Sequence, residues 1–257
     1  MARVGSAASG RLAAAAAAGM LLVTGCSAAA DLADTASADL STLSTEAVSE
    51  RVARAVDRAR SVRVTVELRR NGATQRTDLR LDIRTGNYSA TGKTSSYTIE
   101  TVRIGEDVYV KASRSYWQAR LGRDRAALLN SLDGKYGHVA SDDPARSTMK
   151  DLSRKADPHT VLPTLADAER RPDSTVDGRR VVVFAEPGEK NPDLLYIPAE
   201  GPALPVKVAG SSAKGGSGGG TLTWSEYDHP VDIQAPAPDR IVELPNLGTA
   251  PPGAGLL

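Results

Sequence analysis

The chain has 257 residues, with 32 Lys and Arg against 31 Asp and Glu, and a single cysteine. That near-neutral balance gives no electrostatic basis for nucleic-acid binding. One thiol excludes an internal disulfide, so the fold must stand on packing. With one Phe, two Trp and seven Tyr, its core must come from Val, Leu, Ile and Ala.

The first segment is a basic start (Arg3, Arg11) followed by an apolar run from Leu12 to Val23. About a dozen apolar residues suit a signal-peptide core and are too short to span a bilayer comfortably. Directly after comes Leu22-Val23-Thr24-Gly25-Cys26-Ser27, which holds the only cysteine. Residues 1–25 therefore read as a signal peptide. Without Arg3 and Arg11 the count becomes 30 basic against 31 acidic residues. Residues 26–44 are rich in Ala, Ser, Thr and Asp and read as a flexible tether.

From Thr45 to Arg60 the period is helical, with Val48, Val52, Ala55, Val56 and Ala59 on one side. The period then drops to two. Val62, Val64, Val66 and Leu68 alternate with Arg63, Thr65, Glu67 and Arg69. After Asn71-Gly72, a hairpin signal, Leu79, Leu81 and Ile83 alternate with polar residues. Tyr88 to Gly92 gives a third strand. Tyr97 and Ile99 open a fourth, which Val102 and Ile104 continue in the opposite parity, so a bulge is expected near Glu100-Thr101. Val108, Val110 and Ala112 follow, and Trp117 and Leu121 are expected to close this meander.

The middle of the chain reads as short helices over Arg123–Leu132, Pro144–Leu152 and Pro158–Ala168, with a polar loop over Asp133–Ser141. Strands return after Pro172, with a turn at Asp177-Gly178, then Val181–Phe184, Leu194–Ile197, Leu204–Val208 and Thr221–Tyr227, which carries Trp224. Lys214–Gly220 is a glycine-rich connection, and residues 245–257 read as a disordered Pro-rich tail. The expected fold class is α+β: a curled antiparallel sheet of roughly nine strands around short helices, over residues 45–244.

The Cys26 motif resembles a bacterial lipobox. With the helix ending at Arg60-Ser61, the meander Val62–Ala112, Tyr116-Trp117, the Asp177-Gly178 hairpin and the stretch from Trp224 to Pro236, the chain resembles the LppX/LprG family of mycobacterial and other actinobacterial lipoproteins, within the wider LolA-like set. That resemblance implies a diacylglyceryl-modified Cys26, anchoring on the outer face of the cytoplasmic membrane, and a half-open barrel with an apolar cavity for lipid or glycolipid acyl chains. It supplies no catalytic residues and no cofactor. Candidate cavity residues are Val64, Val66, Leu68, Leu79, Leu81 and Ile83 on the first hairpin, with Tyr97, Ile99, Val108, Val110 and Trp224. Helix side chains filling the same space would instead make an ordinary core. The rival function is an envelope sensor or partner-binding module, for which a transporter or regulator is the partner; a monomer is expected in either case.

Other signals are weak. Ser147-Thr148-Met149-Lys150 fits S-x-x-K, but S-D-N and K-T-G do not follow. His138, His159 and His229 lack metal spacing. The lysine of Lys214–Gly220 precedes its glycines, against the order of a phosphate loop. Arg69, Arg70, Arg76 and Arg80 read as the solvated side of the first hairpin, with an anionic-headgroup contact as the alternative.

Overall fold

A computed structural model describes residues 39–70, 73–188, 191–210 and 219–246. The lipobox at Cys26, the Asn71-Gly72 turn, most of the glycine-rich connection and nearly all of the tail lie outside these residues. The elements run β1 (Ser61–Arg70), β2 (Ala73–Asp82), β3 (Tyr88–Lys93), β4 (Thr98–Ile104), β5 (Asp107–Ala112), β6 (Tyr136–His138), β7 (Glu169–Val176), β8 (Arg179–Ala185), β9 (Leu194–Pro198), β10 (Lys207–Gly210), β11 (Gly220–Ser225) and β12 (Ile241–Glu243). The helices are α1 (Thr45–Arg58), α2 (Arg114–Leu121), α3 (Ala126–Ser131), α4 (Ala145–Ala156) and α5 (Leu162–Ala166), with a 3-10 turn over Pro158–Val161 before α5.

All twelve strands form one open sheet in the order β12-β6-β5-β4-β3-β2-β1-β11-β10-β9-β8-β7. Two antiparallel meanders are fused where β1 pairs with β11, Val64 opposite Trp224. The expected α+β architecture is present, with more strands than the nine foreseen. β6 and β12 have three residues each and pair in parallel, so the sheet is mixed at that edge. The opposite edge, β7, is exposed and carries Glu169, Arg170, Arg171, Pro172 and Asp173, residues that discourage edge-to-edge pairing.

Alternation decides which side is buried. Val62, Val64, Val66, Leu79 and Leu81 face the concave side at 5% exposure or less. Arg63 and Asp78 face outward and pair at 2.6 Å, and Arg63 also holds Glu226 at 2.8 Å. These contacts raise the Arg63 pKa and lower that of Glu226. α1 lays Val48, Val52 and Val56 onto the concave face with none of their surface exposed. Each such burial contributes about 1.5–3 kcal/mol. Its first turn is capped by Ser44, whose Oγ accepts from the Ala47 N–H at 3.3 Å.

Three local expectations change. β4 has no bulge: its ladders to β3 and β5 are continuous, so Thr101 and Arg103 point inward while Val102 and Ile104 lie on the outer side. A buried arginine is tolerated there because its guanidinium donates to the Gly86 carbonyl at 2.8 Å and meets Ser153 Oγ at 3.4 Å. Trp117 and Leu121 belong to helix α2 rather than to a strand, and Tyr116 and Trp117, neighbours in sequence, are both buried. Residues 39–44, expected within the tether, dock through Leu40, which is 1% exposed and whose N–H donates to the Ala199 carbonyl at 2.7 Å. Hydrogen bonds from Ser41, then from Arg180, hold the Asp39 carboxyl down at about 2. The Asp177-Gly178 turn has φ of 49° and 77°, the positive pair that a type I′ hairpin requires.

Candidate functional site

The concave face is built of cross-strand rows. One row runs Trp224, Val64, Leu79, Ala90, Thr101, Val110 and Gly137 across β11, β1, β2, β3, β4, β5 and β6. The next, one pleat toward the β1–β2 tip, runs Phe184, Leu195, Val208, Leu222, Val66 and Thr77. Beyond it the lining thins. Gly210 lies opposite Gly220, and Gly220 opposite Leu68. Glu186 and Asp193 sit one residue past the last ladder pair of β8 and β9, Ala185 with Leu194.

α4 lies over this face and is fastened by polar side chains of the sheet. Tyr88 Oη donates to the Met149 carbonyl at 3.0 Å, and Trp224 Nε1 to the Ala156 carbonyl at 2.8 Å. Arg103 meets Ser153 between them. Burial pushes the Tyr88 phenol pKa up. These bonds satisfy polar groups that would otherwise be costly inside.

Past the C-terminal end of α4 a pocket of about 220 Å³ opens. Its floor is Leu195, Val208, Leu222 and Trp224, with Val161 from the helical side. Lys155, Thr160, Thr164, Glu186 and Asp193 complete its wall. Of the eleven residues named from sequence, Trp224 alone lines it. Val64, Val66, Leu79, Leu81, Ile99, Val108 and Val110 are buried with α1 and α4 side chains in the core, and Leu68, Ile83 and Tyr97 pack at its margin. The pocket instead draws on β9, β10 and β11. Their signal was legible: the apolar run Leu194–Ile197 and Val208 before a glycine.

A wider, more open trough of about 630 Å³ lies on the outer side, with Glu67, Arg69 and Tyr196 as walls over Ala209, Gly210 and Gly220. Two arginines of the first hairpin are paired: Arg76 with Glu67 at 2.9 Å and Arg80 with Glu226 at 3.4 Å.

The remaining chemical candidates are structural. Ser147 Oγ donates to the Pro144 carbonyl at 2.7 Å, and Lys150 reaches toward Glu106 at 4.0 Å, so S-x-x-K does not form a nucleophile–base pair. His138 bridges Glu243 at 2.9 Å and Asp107 at 3.2 Å across the sheet edge. His159 bridges Asp157 at 2.7 Å and Asp57 at 3.2 Å, joining the 3-10 turn to α1. Among the described residues no group of three or more His, Cys, Asp or Glu side chains is placed to hold a metal ion.

No family model matches the chain, and no curated protein matches it. Solved structures do. The crystal structure of the Mycobacterium tuberculosis lipoprotein LppX is 17% identical, with a TM-score of 0.45, and the match covers 74% of this chain and 98% of that chain. An uncharacterized conserved protein from Thermus thermophilus is 11% identical at a TM-score of 0.42, over 79% of this chain and 100% of that chain. A LolA superfamily protein from Nitrosomonas europaea is 12% identical at a TM-score of 0.22, over 77% and 96%. The chain is thus similar to LppX and to a LolA superfamily protein, the resemblance that its sequence carries.

Proposed function

We propose that this protein is a non-enzymatic lipoprotein, anchored through an acylated Cys26 on the outer face of the cytoplasmic membrane, that binds an acyl chain of a lipid or glycolipid in its concave pocket. The observation that carries this reading is the pocket itself: about 220 Å³ floored by Leu195, Val208, Leu222 and Trp224 between sheet and helices. That is below the roughly 300–1,000 Å³ of drug-sized sites and suits a stretch of one chain. Each methylene taken from water contributes about 0.8 kcal/mol, so six supply about 5 kcal/mol before the costs of binding. Among the described residues no helix is long and apolar enough to cross a membrane, and the anchor rests on the lipobox alone.

One observation favours the second reading, a partner-binding module: the deeper rows of the concave face are packed against α1 and α4. Two measurements separate the readings. Cys26→Ala is expected to move the chain from the membrane fraction to the soluble or unprocessed pool. In that background, uptake of a fluorescent fatty acid is compared with the same chain carrying Val208→Trp. Retained thermal stability with lost uptake supports an acyl site. If the Cys26→Ala parent takes up no fatty acid and Val208→Trp destabilises clearly, the interior is solid and the partner-binding reading replaces this one.

A further inference from the structure

His138 sits in a cross-strand row on the outer side of the sheet, between Tyr109 of β5 and Glu243 of β12. Its ring stacks on that of Tyr109, with centroids 5.1 Å apart. Nδ1 lies 2.9 Å from Glu243 Oε2, and Nε2 lies 3.2 Å from Asp107 Oδ1. An ionised carboxylate only accepts hydrogen bonds, and a neutral imidazole carries one N–H and one lone pair. Both contacts are therefore hydrogen bonds only when the ring holds two protons. With one proton, a ring lone pair faces a carboxylate oxygen and that link becomes repulsive. The other groups around the ring are Tyr109 and, one pleat along β6, Tyr136, whose Oη donates to Glu100 at 3.0 Å and whose ring faces Lys111 and Arg240. Burial, then the Asp107 and Glu243 charges, raises the Tyr109 pKa, so that phenol keeps its proton while a histidine titrates. The strand held by these links is slight. β12 has three residues and ends the sheet, paired in parallel with β6. Just beyond it the Leu244 N–H donates to the His138 carbonyl at 3.1 Å. The residues leading to it, 230–236, form no backbone–backbone hydrogen bond among the described residues.

We propose that His138 is a proton-gated latch on the C-terminal strand: its imidazolium joins β12 to β5 through Glu243 and Asp107, and loss of one proton frees β12 and leaves β6 as an open sheet edge. The latched form holds a proton that the released form gives up more readily. Acid therefore favours the latched strand, and rising pH releases it. Histidine changes charge between about pH 5 and 8, which sets the range of the device. The carboxylates are largely exposed, so the links are modest and shift a local opening rather than the whole fold. A freed β6 presents unpaired N–H and C=O groups to another strand, so pairing at this edge is gated by acidity. The latch is independent of the acyl-chain reading.

The test uses the full chain with Cys26→Ala and reads hydrogen exchange at the Leu244 amide, corrected for the intrinsic rate, at about pH 5.5 and about pH 8. The protection factor is expected to fall roughly three- to tenfold between the two. Imidazole nitrogen shifts should show both ring nitrogens of His138 protonated at the lower pH and one at the higher. His138→Phe keeps a ring on Tyr109 and removes both links, so protection should be low at both pH values. Glu243→Gln removes the charge of an exposed side chain while keeping an oxygen for Nδ1. It should shrink the pH effect with Tm unchanged, and it carries the test if His138→Phe does not fold. Protection in the parent that does not change with pH overturns the latch. So does a pH effect of full size in either variant.

Discussion

Replacing Gly210 with Ala probes the rim of the pocket directly. The backbone at Gly210 is not in the left-handed region, so an alanine there carries no conformational strain. Taken alone, such a swap would stabilise by about 0.4–1 kcal/mol through the unfolded chain. The surroundings reverse the sign. The new methyl would overlap the Asp193 carboxylate and stand 3.3 Å from Asp193 Cα. The 3.3 Å contact needs to give by only a few tenths of an ångström, so the cost lies in displacing the carboxylate and falls in the lower half of the usual 1–3 kcal/mol for overpacking. A net loss of about 1 kcal/mol lowers Tm by about 2–4 °C for a domain of this size. The assay is a double-mutant cycle read by calorimetry, with Asp193→Ala as the second change. In the Asp193→Ala background the overlap is gone, so Gly210→Ala should be neutral or stabilising, a coupling of about 1 kcal/mol or more. If Gly210→Ala costs as much without the Asp193 carboxylate as with it, the account of the rim is wrong.

Gly137→Ala tests the sheet edge: a Cβ there would lie 2.5 Å from Leu244 Cδ1 and 2.7 Å from its Cγ. It should expel Leu244, loosen β12, cost roughly 1–3 kcal/mol and speed proteolysis of the C-terminal segment; unchanged cleavage rates would show that Leu244 does not lock that strand. Tyr88→Phe should cost about 0.5–1.5 kcal/mol at neutral pH through loss of the bond to Met149. It should also flatten the alkaline limb of stability. Burial raises the folded-state pKa of Tyr88 above the unfolded value near 10. Above that pH the unfolded chain sheds a proton that the folded chain keeps, so stability is full below pH 10 and declines as pH rises beyond it. An alkaline limb of equal slope in wild type and Tyr88→Phe contradicts this assignment.

The first hairpin was legible because its signal is local: Val62 to Leu68 and Leu79 to Leu81 alternate cleanly, and one parity is buried at Val62, Val64, Val66, Leu79 and Leu81, with Leu68 at the margin. α1 was legible for the same reason, from valines spaced by four. The pairing of β1 with β11 was not, because no period in either strand names its partner. β4 misled because its inward side carries Thr101 and Arg103 where an apolar pair was expected, and the compensating groups, Gly86 and Ser153, are remote in sequence. The pocket was half legible. The aliphatic residues of β9, β10 and β11 follow the period-two rule, but Glu186 and Asp193 fall just outside the two expected strands, and only the ladder brings them together on the concave side.

The seam between the two meanders also bears on how the chain reaches this structure. β1 has β2 as its neighbour on one side within a dozen residues, but its other neighbour, β11, begins about 150 residues later. Until that late segment is available, β1 ends the first meander as a raw edge of ten residues. Such distant pairings close slowly, since much chain must be ordered before they are rewarded. A nascent chain halted before Thr221 would hold an incomplete sheet with unpaired backbone groups along Ser61–Arg70, a template for self-association. Completion of the domain is therefore governed by its last hundred residues, and truncations there should lead to aggregation rather than to a smaller stable fold.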